Sequence, residues 1–455
     1  MKPATTDLDV RQFIDEQPLS VYQCFVAVIC ALIVFIDGFD AQAMGYVAPA
    51  LTADLHVPRA VLGSVISSGL VGMMLGALIF GPVADRFGRK PVLVLSALTF
   101  GIGSLLTATA RSVESLSLLR VLTGIGMGGA MPNAIALTSE YMPQRARATG
   151  VMMMMCGFSL GAAVGGLIAA SLIPRFGWQS VFVVGGIGPV FIAAAALLWL
   201  PESIRYLLVK GGREARVSRY LARIAPQAAI PRALAPGVDE HTSGRALLYQ
   251  LFDRGRGFGT ILIWIVYFMN LLNVYFLNNW LPTIMNDVGI PVETAIRITS
   301  LFQFGGIAGA LILGKVLDWY RSFAVLALCF IWAAVWIFIT GQLGASVPLL
   351  IVAVFSSGIG VIGGQTMAHA LSSEFYPTAI RATGVGWALG IGRVGSIVGP
   401  TLGGYLLARG GGVDRVFWAA AVPAVIAAVA AALLAQRKDV RPQSSTKDVF
   451  SHEGH

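Results

Sequence analysis

The chain has 455 residues, 56% of them hydrophobic and only 12% charged, with a mean hydropathy of +0.75. A soluble domain carries about 25% charged residues, and disorder needs low hydrophobicity with high charge, so a polytopic membrane protein remains. The net charge of +9 admits a nucleic-acid partner only until the basic residues are placed along the chain.

Residues Met1 to Ser20 are polar and mixed in charge, and the first apolar run is too long for a signal-peptide core, so no secretory signal is expected. A helix needs about 20 apolar residues to cross a bilayer. Apolar runs between polar breaks predict twelve spans, at 22–50, 60–83, 91–109, 116–139, 148–173, 179–200, 259–285, 297–317, 322–341, 347–373, 382–408 and 413–436. The expected fold is therefore all-α and membrane-embedded, with two pseudo-symmetric six-helix halves. They cover 22–200 and 259–436, with an N-tail at 1–21, a central loop at 201–258 and a C-tail at 437–455. The loop holds Lys210, Arg213, Arg216, Arg219 and Arg223, a pattern for short amphipathic helices at the membrane surface. The polar C-tail is expected to be disordered. Cys24, Cys30, Cys156 and Cys329 lie within apolar runs and read as packing residues, not as a disulfide framework or a metal site.

Basic residues set orientation. Arg86, Arg89 and Lys90 join spans 2 and 3, Arg145 and Arg147 join spans 4 and 5, and the central loop and C-tail are basic. The alternate loops hold little beyond Arg111, Arg175, Arg409 and Arg415. Both termini are expected to be cytoplasmic. The positive charge is mostly this topology signal, which removes the nucleic-acid reading.

The halves repeat. Glu140-Tyr-Met-Pro143-Gln-Arg-Ala-Arg147-Ala-Thr-Gly150 returns as Glu374-Phe-Tyr-Pro377-Thr-Ala-Ile-Arg381-Ala-Thr-Gly384 at an offset of 234. Gly81-Pro-Val-Ala-Asp85 returns as Gly314-Lys-Val-Leu-Asp318 at an offset of 233. Two segments sharing nearly one offset indicate a duplicated six-helix unit.

Charges at membrane depth are costly and mark function by default. Asp37 and Asp40 lie on one face of span 1, and counting 1.5 Å per residue brings Arg120 of span 4 to about the same level. Such a group can bind and release a proton as its surroundings alternate. A purely structural ion pair, or an aspartate at a helix break, is the alternative. Arg393 in span 11 falls near the midplane with no acid in its own span. Its planar guanidinium suits a substrate carboxylate. Pairing with backbone carbonyls, or with Asp37 or Asp40 across the halves, is equally open. Asn270, Asn273, Tyr275, Gln303 and Trp387 are candidates for the rest of a substrate pocket, as amides for ring hydroxyls or as aromatic surfaces, although each alone is more often packing. At the cytoplasmic helix ends, Asp85, Arg86 and Arg89 are expected to form a charge network with Glu140 and Arg147 that closes that side. Asp318, Glu374 and Arg381 would act likewise in the second half. The alternative is that these residues only fix topology.

The segment Gly81…Asp85-Arg86…Gly88-Arg89-Lys90, with Pro201-Glu202-Ser203…Arg205 after span 6, resembles the major facilitator superfamily from span 1 to span 12. The second-half copy, Asp318-Trp-Tyr-Arg321, departs from that signature by lacking its glycine and paired basic residues. A narrower match, Asp37-Gly38-Phe39-Asp40 with Gly45, Pro49, Arg120, Arg393 and Asn279-Trp280-Leu281-Pro282, resembles the aromatic acid:proton symporters. That resemblance implies a monomeric secondary transporter in a bacterial inner membrane. It would import a benzoate-, 4-hydroxybenzoate- or protocatechuate-type acid by alternating access, with the proton as coupling ion and no other cofactor. Uptake or efflux of another small organic acid, a sugar or a drug-like molecule is the alternative. An enzyme is not expected: the five histidines are scattered and no Walker A sequence exists.

Overall fold

The structure, a computed structural model, describes residues 8–212, 214–227, 234–235, 249–253, 255–320, 322–377, 380–410 and 412–436. The predicted C-tail, Arg213 and most of the second part of the central loop lie outside these residues. Twelve long helices are present among them. The first half comprises α1 (Val21–Leu55), α2 (Arg59–Phe87), α3 (Arg89–Thr107), α4 (Val113–Tyr141), α5 (Gln144–Phe176) and α6 (Gln179–Trp199). The second comprises α7 (Gly257–Asp287), α8 (Val292–Trp319), α9 (Phe323–Gln342), α10 (Val347–Phe375), α11 (Arg381–Ala408) and α12 (Val413–Gln436). Eleven are long and apolar enough to cross a membrane. The glycines of α11, together with Arg393, lower its hydropathy below theirs.

Local chemistry sets the ends. Ser20 caps α1 through a reciprocal box with Gln23, and Ser112 caps α4 in the same way with Ser115. Gly88, at φ 106°, turns α2 directly into α3, and a Cβ there would strike the Glu202 carboxylate. Several helices outrun their apolar spans. The α1 helix passes through Pro49 and ends only at His56, in the left-handed region, because hydrogen bonding continues beyond the hydrophobic stretch.

The duplication is visible in the packing. A Cβ on Gly161 of α5 would overlap the Phe35 carbonyl of α1, and one on Gly395 of α11 would overlap the Phe268 carbonyl of α7. These pairs are related by the sequence offsets of 234 and 233. Small residues at such crossings let transmembrane backbones approach closely. The α1 and α7 helices themselves meet at Gly45 and Asn278, a pair also 233 residues apart, so this contact lies on the pseudo-two-fold axis.

Among the described residues, the contacts between the two halves gather on one side of the molecule's middle. Away from the face that carries Arg86, Arg89, Lys90 and Arg147 (hereafter the basic face), Arg59 of α2 pairs with Asp287 of α7 at 2.6 Å. Nearby, Ser67 Oγ lies 2.7 Å from both the Ile397 carbonyl and Thr401 Oγ1 of α11. Gly166 of α5 packs on Ser300 of α8. Toward the basic face the same helices part: Cβ atoms on Gly81 of α2, Gly314 of α8 or Gly386 and Gly390 of α11 would meet no atom within 4 Å. A cleft between the halves thus opens to the basic face.

Short helices at Val10–Glu16, Ile204–Lys210 and Glu214–Ile224 lie against the first half at that face. Their apolar residues, among them Phe13, Leu207, Val217 and Leu221, join a buried cluster with Val26 and Leu200. The amphipathic stripe expected at the membrane surface is therefore buried in protein.

Candidate functional site

The two aspartates of α1 are both fully buried and have different surroundings. Asp40 accepts from Arg120 Nη2 at 2.9 Å and from Nη1 at 3.4 Å, and from Ser104 Oγ at 3.1 Å. This is the forked geometry in which guanidinium and carboxylate match best. The Arg120 guanidinium also stands 5.6 Å above the Phe182 ring. Asp37 lies one turn nearer the basic face, and neither of its carboxylate oxygens has a hydrogen-bond partner among the described residues. Both sit in unbroken helix, which removes the helix-break alternative.

A small cavity, with room for about one water, lies where α1, α2, α4 and α7 meet. Its polar lining is Arg120, Tyr275 and Asn279, and Met44, Leu70 and Met127 are among its apolar lining. Arg393 Nη1 donates to the Tyr275 hydroxyl at 3.4 Å. No carboxylate among the described residues forms a salt bridge with Arg393. It is near enough for its charge to act on Asp37 and on His369. His369 is a packed histidine, with Nδ1 2.9 Å from the Tyr267 hydroxyl. Arg120 is thus compensated by an internal acid, whereas Arg393 is only half-buried and has no acid on it.

The remaining pocket candidates divide. Asn270 and Asn273 are buried on α7, at the positions that the offset of 233 assigns to Asp37 and Asp40 in the first half. Asn273 Oδ1 has no partner. Gln303 Nε2 donates to Asn278 Oδ1 at 3.0 Å, joining α8 to α7. Trp387 corrects the expectation: it stacks on Trp264 at 6.1 Å between centroids and is 43% exposed. Six residues before Arg393, it is turned about 240° around α11 from that guanidinium, so the two face different directions.

At the basic face, Arg89 Nε pairs with Glu140 at 3.1 Å, and Ser203 Oγ donates to the other Glu140 oxygen at 2.6 Å. Arg147 departs from expectation. It pairs not with Glu140 but with Asp15 of the N-terminal helix, at 3.7 Å. Asp15 also accepts from the Gln144 amide at 2.6 Å, at the start of α5 where N–H groups lack helical partners. Glu202 does the same for α3, accepting from the Arg89 and Lys90 amides at 2.8 and 3.1 Å. Neither Asp15 nor Glu202 stood out as a partner in the sequence. Proximity to the helix starts in space, which chain distance hides, is what selects them. Arg147 Nη2 and Arg381 Nε each reach a carbonyl five residues earlier, of Met142 and Tyr376, so the duplicated segment folds alike in both halves. Asp85 and Arg86 are exposed, Glu374 is exposed at the end of α10, and the Asp318 side chain lies outside the described residues.

Comparison with known proteins agrees with this architecture. Residues 30–255 and 263–452 match the description of the Major Facilitator Superfamily. The chain is 45% identical to the 4-hydroxybenzoate transporter PcaK of Pseudomonas aeruginosa, over 95% of this chain and 96% of that protein. It is 40% identical to the gallate transporter of Pseudomonas putida, over 94% and 95%. Among solved structures, a bacterial homolog to the human lysosomal transporter Spinster, in an inward-facing and occupied conformation, superposes with a TM-score of 0.71. The identity there is 18%, over 93% of this chain and 99% of that one. The D-xylose-proton symporter gives a TM-score of 0.68 at 16% identity, over 89% and 96%. At that identity the structural likenesses speak to the fold alone. With twelve helices in two repeated halves and a family match that spans both, the chain belongs to the Major Facilitator Superfamily.

Proposed function

We propose that this protein is a proton-coupled importer of a small aromatic carboxylic acid of the benzoate, 4-hydroxybenzoate or protocatechuate type. It works by alternating access in a bacterial inner membrane, with both termini in the cytoplasm. The observation that carries the reading is Arg393, a guanidinium within α11 with no carboxylate salt bridge among the described residues, touching the Tyr275 hydroxyl of α7. An unpaired cation at that depth is costly, and a carboxylate ligand is the natural partner. The full-length similarity to 4-hydroxybenzoate and gallate transporters supports an aromatic acid as that ligand.

In this scheme Arg393 takes the substrate carboxylate and Tyr275 orients the fork. Arg120 is not the substrate's cation, because its charge is already matched by Asp40, which holds both Nη atoms. Asp37 carries the coupling proton, since a carboxyl group without a partner is the one whose protonation can change without breaking a salt bridge. The contacts at Arg59–Asp287 and Ser67–Thr401 close the periplasmic side while the acid leaves to the cytoplasm. In the return step those contacts break and the basic ends of α2, α5, α8 and α11 come together, with Asp85 and Arg86 placed to meet the other half.

The test is counterflow of labelled 4-hydroxybenzoate in proteoliposomes. Transient accumulation against unlabelled acid inside, competed by benzoate but not by benzamide, is expected. No counterflow with any benzoate-type acid would overturn the reading.

A further inference from the structure

The small cavity where α1, α2, α4 and α7 meet has a mostly apolar lining, yet two polar atoms of its lining residues lack partners. Arg120 gives both Nη atoms to Asp40, but its Nε has no hydrogen-bond partner among the described residues. Asn279 Oδ1 is likewise without one. The two residues are 4% and 1% exposed, so bulk solvent does not serve them. Asn279 Nδ2 donates to the Tyr275 carbonyl one turn earlier at 2.7 Å. That bond fixes the amide, because with its two ends exchanged oxygen would face oxygen. Nε–H is thus a donor only and Oδ1 an acceptor only, and each is unfavourable when buried and unmet. Arg120 belongs to α4 of the first half and Asn279 to α7 of the second.

We infer that this cavity is a binding site for one ordered water, which accepts from Arg120 Nε, donates to Asn279 Oδ1 and so bridges the two halves. A cavity with room for a water and two to four polar partners holds one, whereas a purely apolar cavity stays dry. The chemistry selects water over an ion. A chloride would suit Nε but face the Oδ1 oxygen, and a metal cation would suit Oδ1 but stand beside a guanidinium. Water meets both atoms. Tyr275, the third polar residue of the lining, offers a further bond: its hydroxyl accepts from Arg393 and still has its own hydrogen to donate. Met44, Met73 and Met127 are among the apolar residues that close the site. Because its two partners come from different halves, the site is complete only while those halves stand together, and it is dismantled when they part. Neither partner is Arg393, so the site stands whether or not that residue binds substrate.

The experiment is X-ray radiolytic footprinting of the purified full chain. A bound water releases hydroxyl radicals where it sits, and methionines beside it are oxidised to the sulfoxide, which mass spectrometry counts. Met44 and Met127 are 2% and 1% exposed, and Met154 and Met367, which do not line the cavity, are buried equally at 1% and 2%. In wild type, Met44 and Met127 are expected to oxidise several-fold faster than Met154 and Met367. Two variants remove the water differently. Asn279→Leu deletes the acceptor. Gly69→Ala places a methyl group 3.6 Å from Arg120 Nε with nothing closer, so it fits while occupying the water's side of that atom. Both are expected to bring Met44 and Met127 down to the rate of the controls. Equal rates at all four methionines in wild type would overturn the inference. Undiminished oxidation in Gly69→Ala would overturn it too, by showing that bulk water reaches the cavity. Oxidation kept in Asn279→Leu would overturn the bridge between the halves. If Asn279→Leu does not fold, wild type and Gly69→Ala decide.

Discussion

Two arginines stand at membrane depth, Arg120 in the first half and Arg393 in the second, and they have opposite surroundings. Arg120 is buried, forked onto Asp40, stacked over Phe182 and almost out of reach of solvent. Arg393 is half-buried, with a single long hydrogen bond to a neutral hydroxyl. Burial explains the contrast. Two opposite charges that satisfy each other can be closed off, whereas a lone guanidinium stays where water or a ligand reaches it. One residue type thus stands on a buried acid in one half and on a neutral hydroxyl in the other.

The comparison breaks most visibly at Arg120. Arg120→Leu leaves Asp40 buried without its partner, which costs about 3–5 kcal/mol. Thermal unfolding in detergent should show a large loss of stability, and adding Asp40→Leu should recover much of it. A stable single variant would show that the pair is not a structural tie. At Arg393 the expectation is reversed. Arg393→Ala should leave stability nearly unchanged but weaken acid binding by roughly 10- to 100-fold, the loss of a charge-assisted hydrogen bond of about 1.5–3 kcal/mol. Affinity for the matching neutral amide should hardly change, and Arg393→Lys should be impaired as well, because the ammonium lacks the planar fork. Equal loss for acid and amide would make Arg393 structural like Arg120.

The two aspartates sharpen the contrast further. Asp37→Asn replaces a group that has no partner to lose, so its stability change should stay within about 1 kcal/mol. Accumulation driven by a pH gradient should disappear while counterflow persists. Retained pH-driven accumulation would move the proton site elsewhere. The smallest effect is expected at Arg59–Asp287, a partly exposed pair worth about 0.2–1 kcal/mol. Asp287→Asn should raise labelling of a cysteine placed at Ser67 only a few-fold, by loosening the contact between α2 and α11. No change in labelling would mean that the ion pair does not hold that side closed.

Much of the fold was legible because a bilayer imposes both length and polarity on each span. Twelve runs became twelve helices, and the repeated segments around Arg147 and Arg381 recur as matching local structure. Depth was legible too: counting residues brings Asp37, Asp40 and Arg120 to one level. Direction was not. Depth counting leaves Trp387 and Arg393 available to one pocket, but their angular separation on α11 sends the tryptophan to Trp264. Nor could it show that Asp15, from a short helix before the first span, would take Arg147.

The sequence by itself determined the helices, their duplication and the scarcity of charge at depth. These depend on composition and on spacing along one helix, quantities carried by neighbouring residues. Tertiary structure alone decided which of two aspartates is paired and which of two arginines has an acid on it. Each of those outcomes depends on how separate helices rotate and approach. The pairs involved, such as Asp40 with Arg120 and Tyr275 with Arg393, lie 80 and 118 residues apart, far beyond the reach of any local pattern.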